Sequence, residues 1–425
     1  MSDSGRLGVV HGTSLYVGAL IGPGLLLVPA LAAQAAGPAS VLAWAGLLVL
    51  SALLALTFAT LGARHPVSGG VVVYVREGLG HAAAATAGMC FLTAVLIGAP
   101  TVAIIGGYYV EDLTRSGPVT AAAVGAAIFA SALAANAAGV RVAARVQLSL
   151  MTVMVAVVAL AIAVAVPGRI TQHWSPFAPH GWWSVGTAAS ILIWLFVGWE
   201  AVAQHAGDFR DPKRNLPRAV AAAFTVVTVL YLGLAVATVV VPAARHSRVP
   251  LADLLAVGFG AAGRSVTVVL AVALTLGTMN VYVGAAAKLA GALGRDGTLP
   301  EWFGRGSADV PRHPLALLAA IGSLELSALV SGVATPDTLV RATSACFVAV
   351  YLLALAAGTR TLDRAPRAAS VMALLMMLAV AVFSGPFLLV PAAASVVAAV
   401  GMRRPTAALV RHPSRQSGSR GHDEG

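Results

Sequence analysis

Gly18-Ala19-Leu20-Ile21-Gly22-Pro23-Gly24 falls in the middle of the first apolar run of the chain, Val10–Ala36, with no charged residue beside it. Proline removes an intrahelical donor and clashes with the preceding turn, and each glycine weakens a helix by about 1 kcal/mol relative to alanine. The helix is therefore expected to unwind here. At membrane depth, freed backbone groups persist only where protein or a wet cavity satisfies them. Two readings stand at this point: a plain proline kink with glycine packing faces, common in membrane helices, and a break that exposes backbone to a ligand.

That the surroundings are a membrane follows from composition. Of 425 residues, 59% are apolar and 10% charged, against roughly 25% charged in soluble domains. So few charges do not clothe a soluble globule of this length. About 30 Å of hydrocarbon takes roughly 20 apolar residues per helix, which leaves room for about a dozen spans and short loops. Twelve runs fit: Val10–Ala36, Ser40–Leu61, Ala82–Val110, Pro118–Asn136, Val146–Val166, Ser184–His205, Ala219–Val241, Ser265–Leu289, Pro314–Gly332, Leu339–Gly358, Ala369–Phe383 and Pro386–Met402. Only Ser384-Gly385 separates the last two, and Gly106-Gly107 with Tyr108-Tyr109 predicts a frayed end for the third.

Basic side chains resist translocation and collect in cytoplasmic loops. With both termini inside, only Arg115, Arg169, Arg245, Arg248, Arg264 and Arg341 of the 27 basic residues are left outside. The net charge of +11 then reports topology and contact with the inner leaflet, not nucleic acid. No cleavable signal peptide is expected, since the first run is of span length and no small-residue cleavage pattern follows it. Cys90 and Cys346 lie within apolar runs, so neither a disulfide nor a cysteine-based metal site is expected.

The sixth run supplies a second break, Phe196-Val197-Gly198-Trp199-Glu200. A carboxylate in a membrane helix costs at least roughly 2.5–3.5 kcal/mol on insertion scales, so Glu200 is a functional candidate by default; the alternatives are a hydrogen bond to a neighbouring helix or a place nearer the interface. Glycine-interrupted spans at corresponding places in two halves point to an inverted-repeat transporter. Spans one and six are five apart, and an odd offset inverts the second unit. The expected organisation is a five-helix repeat over 1–166, an extracellular loop over 167–183, an inverted five-helix repeat over 184–358, two peripheral spans over 359–402 and a basic cytoplasmic tail over 403–425.

Paired breaks suit one kind of ligand. A half-helix beginning near Gly22–Gly24 offers N–H groups and a positive dipole end to a carboxylate. Carbonyls freed near Gly18–Ala19 and Phe196–Gly198 accept from an ammonium. A zwitterionic α-amino acid carries both groups. Pro23 has no N–H, so Gly22 and Gly24 are the expected carboxylate donors.

Further ordered signals accompany these breaks. The first helix reads Gly18-x-x-Ile21-Gly22-x-Gly24 with Pro29 after it; the second cytoplasmic loop reads His65-Pro66-Val67-Ser68-Gly69-Gly70, then Tyr74-Val75-Arg76-Glu77 and Gly80. Asn136, Gly139-Val140-Arg141 and Gln147 join spans four and five, and Phe196–Ala201 leads into Asp208-Phe209-Arg210-Asp211-Pro212-Lys213-Arg214-Asn215-Leu216-Pro217-Arg218-Ala219. In these features the chain resembles the amino acid–polyamine–organocation transporter family over nearly all of Leu7–Gly358. Pro29–Ala32, the length, and Asn280 two before Tyr282 are most similar to its methionine and branched-chain amino-acid exporter branch.

The resemblance implies an all-α LeuT-like fold with alternating access, substrate lying between spans one and six and walled by three, eight and ten. Carried over by position, Gly18, Ala19, Ile21, Gly22 and Gly24 contact substrate in span one, and Phe196, Val197, Gly198 and Trp199 in span six. Some proton-coupled relatives place a lysine in span five; Val146–Val166 holds no Lys or Arg, which argues against that route.

Other polar residues have two readings each. Thr275 and Thr278 share a face of span eight and suit a sodium ion, or bond their own backbone. Tyr108 and Tyr109 fit an outer aromatic belt or an extracellular gate. Asn280 and Glu200 complete the coupling and gating candidates. Glu325 sits in a peripheral span and suits a structural partner, Lys288 snorkels, and His205 lies at the inner interface. The Asp208–Arg218 segment suits an inner salt-bridge network. The spans hold no Ser/Lys, paired-Asp or His/Glu cluster for an intramembrane enzyme and no repeated polar lining for a channel. The expected function is a secondary transporter of neutral, aliphatic amino acids in the plasma membrane, with another small amine or a cationic amino acid as the alternative. No cofactor and no metal are expected; the coupling ion, H⁺ or Na⁺, the direction and the oligomeric state stay open.

Overall fold

The computed structural model describes residues 7–64, 70–139, 144–200, 209–305 and 312–402. Helices dominate: α1 (Val9–Leu20), α2 (Val28–Ala36), α3 (Ser40–Arg64), α4 (Gly70–Leu79), α5 (His81–Thr114), α6 (Pro118–Ala137), α7 (Ala144–Ala165), α8 (Trp183–Leu192), α9 (Pro212–Val240), α10 (Pro242–Arg245), α11 (Pro250–Arg295), α12 (Arg312–Val330), α13 (Pro336–Thr361), α14 (Arg364–Ser384) and α15 (Leu389–Met402). Among the described residues the only strand-like pairing is one bridge, Leu7 with Phe209.

Among the described residues nine helical segments are long and apolar enough to cross a membrane, and Val9–Leu20 and Trp183–Phe196 are shorter apolar helices. Nine is fewer than the twelve apolar runs because two segments, Val28–Gly62 and Arg364–Met402, each join two helices at a glycine of positive φ, Gly37 (62°) and Gly385 (52°), and because the sixth run is described only as the shorter Trp183–Phe196. The 39 residues of the second are about twice what 30 Å of hydrocarbon needs.

One sequence expectation is corrected here. The third span does not fray, because α5 runs through Gly106 and Gly107 to Thr114. The glycines act as seams: a Cβ on Gly107 would strike the Ala121 carbonyl of α6, and one on Gly106 would lie 2.6 Å from Thr275 Oγ1 of α11. Small residues let helix backbones approach this closely. In α11 a kink at Gly260, whose φ of 54° is non-helical, divides a short helix that begins at Pro250 from the long one that contains the expected span Ser265–Leu289.

Burial sorts the helices. In the most apolar stretch of each, 78% of α5 and 72% of α13 lie inside the protein, against 28% for α6, α7 and α12. Thus α5 and α13 are inner pillars, and α6, α7 and α12 turn most of their surface outward. Ion pairs keep to the two ends. Arg64 pairs with Asp363 (2.8 Å) and Arg76 with Asp296 (3.1 Å), all assigned to the inner side; Arg264 pairs with Asp112 (2.7 Å) and with Asp253, all assigned outside.

Replacing Gly107 with valine is expected to cost about 1–3 kcal/mol or more by overpacking, read as a lower melting temperature in detergent. Gly46, exposed and with open space around its Cα, is the control, and G46V is expected to leave the melting temperature unchanged.

Candidate functional site

The first apolar run breaks where its glycines and proline predict. After Leu20 the chain is extended at Ile21 (φ −88°, ψ 97°) and Gly22 (φ −121°, ψ −179°), makes a 3-10 turn over Pro23–Leu26, and resumes as α2 at Val28. The sixth run breaks in the same style. A 3-10 turn over Ile193–Phe196 follows α8, Val197 is extended (ψ 133°), and Gly198 takes φ 140°. Only glycine adopts that angle freely, and a Cβ there would also lie 2.5 Å from the Ala19 carbonyl oxygen. The two breaks therefore touch, with Gly198 against Ala19.

Both breaks free backbone groups away from water, and side chains from three surrounding helices, with Glu200 of the break itself, take them up. The Tyr231 hydroxyl of α9 lies 2.8 Å from the Leu20 carbonyl and 2.7 Å from that of Leu195. A phenol has one proton, so the two carbonyls share it in a three-centre bond. Tyr109 of α5 donates to the Leu26 carbonyl at 2.8 Å. Gly198 N–H donates to Glu200 Oε2 (3.0 Å) and lies 3.1 Å from the Tyr351 oxygen, while the Tyr351 hydroxyl of α13 donates to the same Glu200 oxygen at 2.6 Å. Trp199 Nε1 donates to Ser51 Oγ of α3 at 2.6 Å. Around Tyr231, Trp44 and Phe196 pack edge-on, each with ring centroids at 5.2 Å.

Between the breaks lies a cavity of about 40 Å³. That holds a water or two, so the site is shut in this conformation. Of the nine substrate candidates read from sequence, Ala19, Gly22, Gly24 and Val197 line it; Leu20, Pro23, Trp194, Leu195 and Tyr282 complete the wall. The other five serve the frame. Gly18 packs on Met151 of α7, a Cβ there lying 3.6 Å from its Cγ; Ile21 is fully buried; Phe196 joins the aromatic cluster; Gly198 seals on Ala19; Trp199 bonds Ser51. Leu195 stands against Gly24, with its Cδ2 2.7 Å from where a Gly24 Cβ would be.

The coupling and gating candidates separate. Glu200 is engaged by Gly198 and Tyr351. The Thr275 hydroxyl donates to its own helix, at Ala271 O (2.8 Å) and Val272 O (3.0 Å), whereas buried Thr278 Oγ1 has no partner among the described residues. The Asn280 carbonyl accepts from Asn136 Nδ2 at 3.0 Å and ties α11 to α6. Tyr109 is fully buried, so it belongs to the first break and not to an outer aromatic belt. Tyr108 lies under the Arg248 guanidinium, 5.2 Å from ring centroid to Cζ. Glu325 Oε2 on α12 is buried without a partner among the described residues, and Lys288 is exposed. His205 and the motif residues 65–69, 140–141 and 201–208 lie outside the described residues.

On the side assigned to the cytoplasm the site is closed by the chain's own start. Arg210 N–H donates to the Leu7 carbonyl at 3.1 Å, and Tyr16 packs on Phe209 with centroids at 6.1 Å. Gly12 leaves room for the Phe209 ring, which a Cβ there would strike.

A multi-pass helical membrane protein with two interrupted helices meeting around a closed midpoint has the construction of a transporter. The chain belongs to the amino acid permease family, among the amino acid–polyamine–organocation transporters: the family profile matches residues 7–409. It is 32% identical over 365 residues, 84% of this chain and 85% of the relative, to the uncharacterized amino acid permease YecA of Bacillus subtilis. It is 27% identical to the L-methionine/branched-chain amino acid exporter YjeH of Escherichia coli, over 84% of this chain and 86% of that one. Identity to the branched-chain amino acid permease BcaP of Bacillus subtilis is 25%, over 82% and 79% of the two chains. The protein is an amino-acid transporter and not an enzyme.

The tyrosine contacts make a direct expectation. Tyr231→Phe leaves two buried carbonyls without a donor, a loss of about 1–3 kcal/mol, and is expected to lower both thermal stability and substrate affinity. Glu200→Leu removes the acceptor for Gly198 and Tyr351 and is expected to abolish transport, whereas Glu200→Gln keeps an amide oxygen there and retains the fold; equal stability of E200L and wild type in thermal unfolding would contradict this role.

Proposed function

We propose that the chain is a secondary active transporter of neutral, aliphatic amino acids, working by alternating access on a twelve-span, LeuT-like 5+5 inverted repeat with two peripheral helices. The carrying observation is the cavity between the breaks. Backbone-rich segments at Ala19–Gly24 and Leu195–Val197 supply polar groups for a zwitterion's two ends, and the side chains around them, Leu20, Leu195 and Val197 among them, are uncharged. Burying an aliphatic side chain there is worth about 1.5–3 kcal/mol. The names of the exporter and the branched-chain permease among the relatives support the same class.

One relative is called a cationic amino acid transporter, from Arabidopsis thaliana, which keeps cationic amino acids as the second reading. The uncharged wall favours the first. A cavity of about 40 Å³ must open to admit leucine, so the present state is one stage of a cycle. The net direction follows from gradients and the coupling ion, which the same residues serve equally in import and export.

Proteoliposomes containing the full chain are expected to show saturable leucine or methionine flux and none of arginine; absence of flux for every neutral amino acid would sink the assignment. Gly24→Ile fills the space in front of Leu195 and is expected to abolish central binding with the fold retained. Thr275 Oγ1, which donates to its own helix but keeps its lone pairs, and the unpartnered Thr278 Oγ1 remain the sodium candidates, and a loss of flux on replacing Na⁺ by choline is the outcome that assigns them that role, with a pH series run alongside to identify proton coupling.

A further inference from the structure

Above the closed central site lies a larger cavity, about 510 Å³ in volume, on the side where the outer arginines gather. It is within the roughly 300–1,000 Å³ of small-ligand pockets. Leu27 and helix α2 build one wall: Leu27 lies just before the helix, and Leu31, Gln34 and Ala35 follow on one helical face, Leu27 and Leu31 supplying its apolar part. Leu27 comes three residues after Gly24, which lines the central cavity. One short segment is thus the roof of the inner site and the floor of the outer one.

The opposite wall carries the charge. Arg341 Nε donates to Asp337 Oδ2 at 2.8 Å, and both residues line the cavity together with Arg248. Arg248 has no carboxylate partner among the described residues; its guanidinium lies over the Tyr108 ring, 5.2 Å from the centroid. A guanidinium over a ring and without a carboxylate partner has N–H groups to offer, and their planar fork matches a carboxylate. Stacking also fixes the side chain before the ligand arrives, which lowers the ordering cost of binding. The cavity therefore offers Arg248, without a carboxylate partner among the described residues, the carboxylate of Asp337, the polar side chains of His246, Ser247 and Thr335, and the apolar Leu27 and Leu31.

We propose that this outer cavity is a second binding site for the neutral aliphatic amino acids assigned to the central one. The ligand carboxylate meets Arg248, its ammonium meets Asp337, and its side chain lies on Leu27 and Leu31. The proposal rests on the amino-acid reading of the central site. It also adds selectivity: a cationic side chain entering the same cavity faces both Arg248 and Arg341, and an acidic one has two negative ends for a single unpaired cation.

Equilibrium dialysis of radiolabelled leucine against the full chain in lipid nanodiscs tests it. Wild type is expected to bind two equivalents, Arg248→Gln one, Gly24→Ile one, and the double variant none. The equivalent that survives in R248Q also reports that the variant is folded. Arg248→Lys keeps the charge without the planar fork, and its outer site is expected to weaken about tenfold or more, the loss of a charge-assisted hydrogen bond. In oriented proteoliposomes R248Q is expected to raise KM for leucine added outside and to leave KM from inside unchanged. One equivalent in wild type, or two in R248Q, overturns the outer site alone. Glutamate displacing the outer leucine better than methionine does overturns its ligand class. No binding of any neutral amino acid by wild type overturns the central reading as well.

Discussion

Every hydrogen-bonding group that the two broken helices release must be satisfied without bulk water, and the centre of the protein is arranged around that requirement. A buried amide left without a partner costs roughly 2–7 kcal/mol, and two breaks release several. Tyr231, Tyr109, Tyr351 and Glu200 answer for the groups at Leu20, Leu195, Leu26 and Gly198. Glu200 belongs to the second break, but the three tyrosines reach the breaks from different places in the sequence, so long-range packing must be complete before the breaks are tolerable. Trp44 and Phe196 then cover the Tyr231 contact and keep its shared proton in a dry environment, where a hydrogen bond is electrostatically stronger.

The same bonds divide the first break into anchored and free parts. Its inner lip, at the Leu20 carbonyl, is held by α9; its outer lip, at the Leu26 carbonyl, is held by α5. Ile21–Leu25 lies between two anchors on different helices and contains Gly22 and Gly24. In an alternating-access cycle this is where a relative movement of α9 and α5 would be absorbed, as a change of φ and ψ at few residues. Leu195 lies against Gly24 from the other break, so moving it enlarges the cavity without disturbing α2. Tyr351 ties the second break to α13, one of the two most buried helices, and gives the movement a fixed reference.

Much of this architecture is legible from the residues alone. The breaks at Gly22-Pro23 and Gly198 follow from local backbone chemistry, and the helical runs follow from composition. The residues that satisfy the breaks are harder to see. Tyr109, Tyr231 and Tyr351 each sit alone in an apolar run, and a lone tyrosine in a span reads equally as an interface anchor. The usable signal was the hydroxyl itself, since a tyrosine at mid-span has to find a partner. Gly106-Gly107 misled for a related reason. Glycine propensity speaks for fraying, but two backbones meeting at Ala121 and Thr275 reward its missing side chain. Trp194 and Leu195 escaped notice because the glycine and carboxylate beside them drew the reading one turn further along.

Glu200 shows how cost and use coincide. A carboxylate at that depth is expensive, which marked it as functional; in the structure it accepts from a backbone N–H that the break itself released and from Tyr351. The outer arginines follow the same logic at the surface. The charge bias assigns 21 of the 27 basic residues to the inside, so the six assigned outside go against the orienting trend. Arg264 is held by Asp112 and Asp253, Arg341 by Asp337, and Arg245 by the carbonyls of His173 and Val239. Each of these has an oxygen partner within the fold that accounts for its place. Among the described residues Arg248 has a ring beneath it and no oxygen partner, and this difference from Arg341, which lines the same cavity and is held by Asp337, gives the outer cavity its chemical direction.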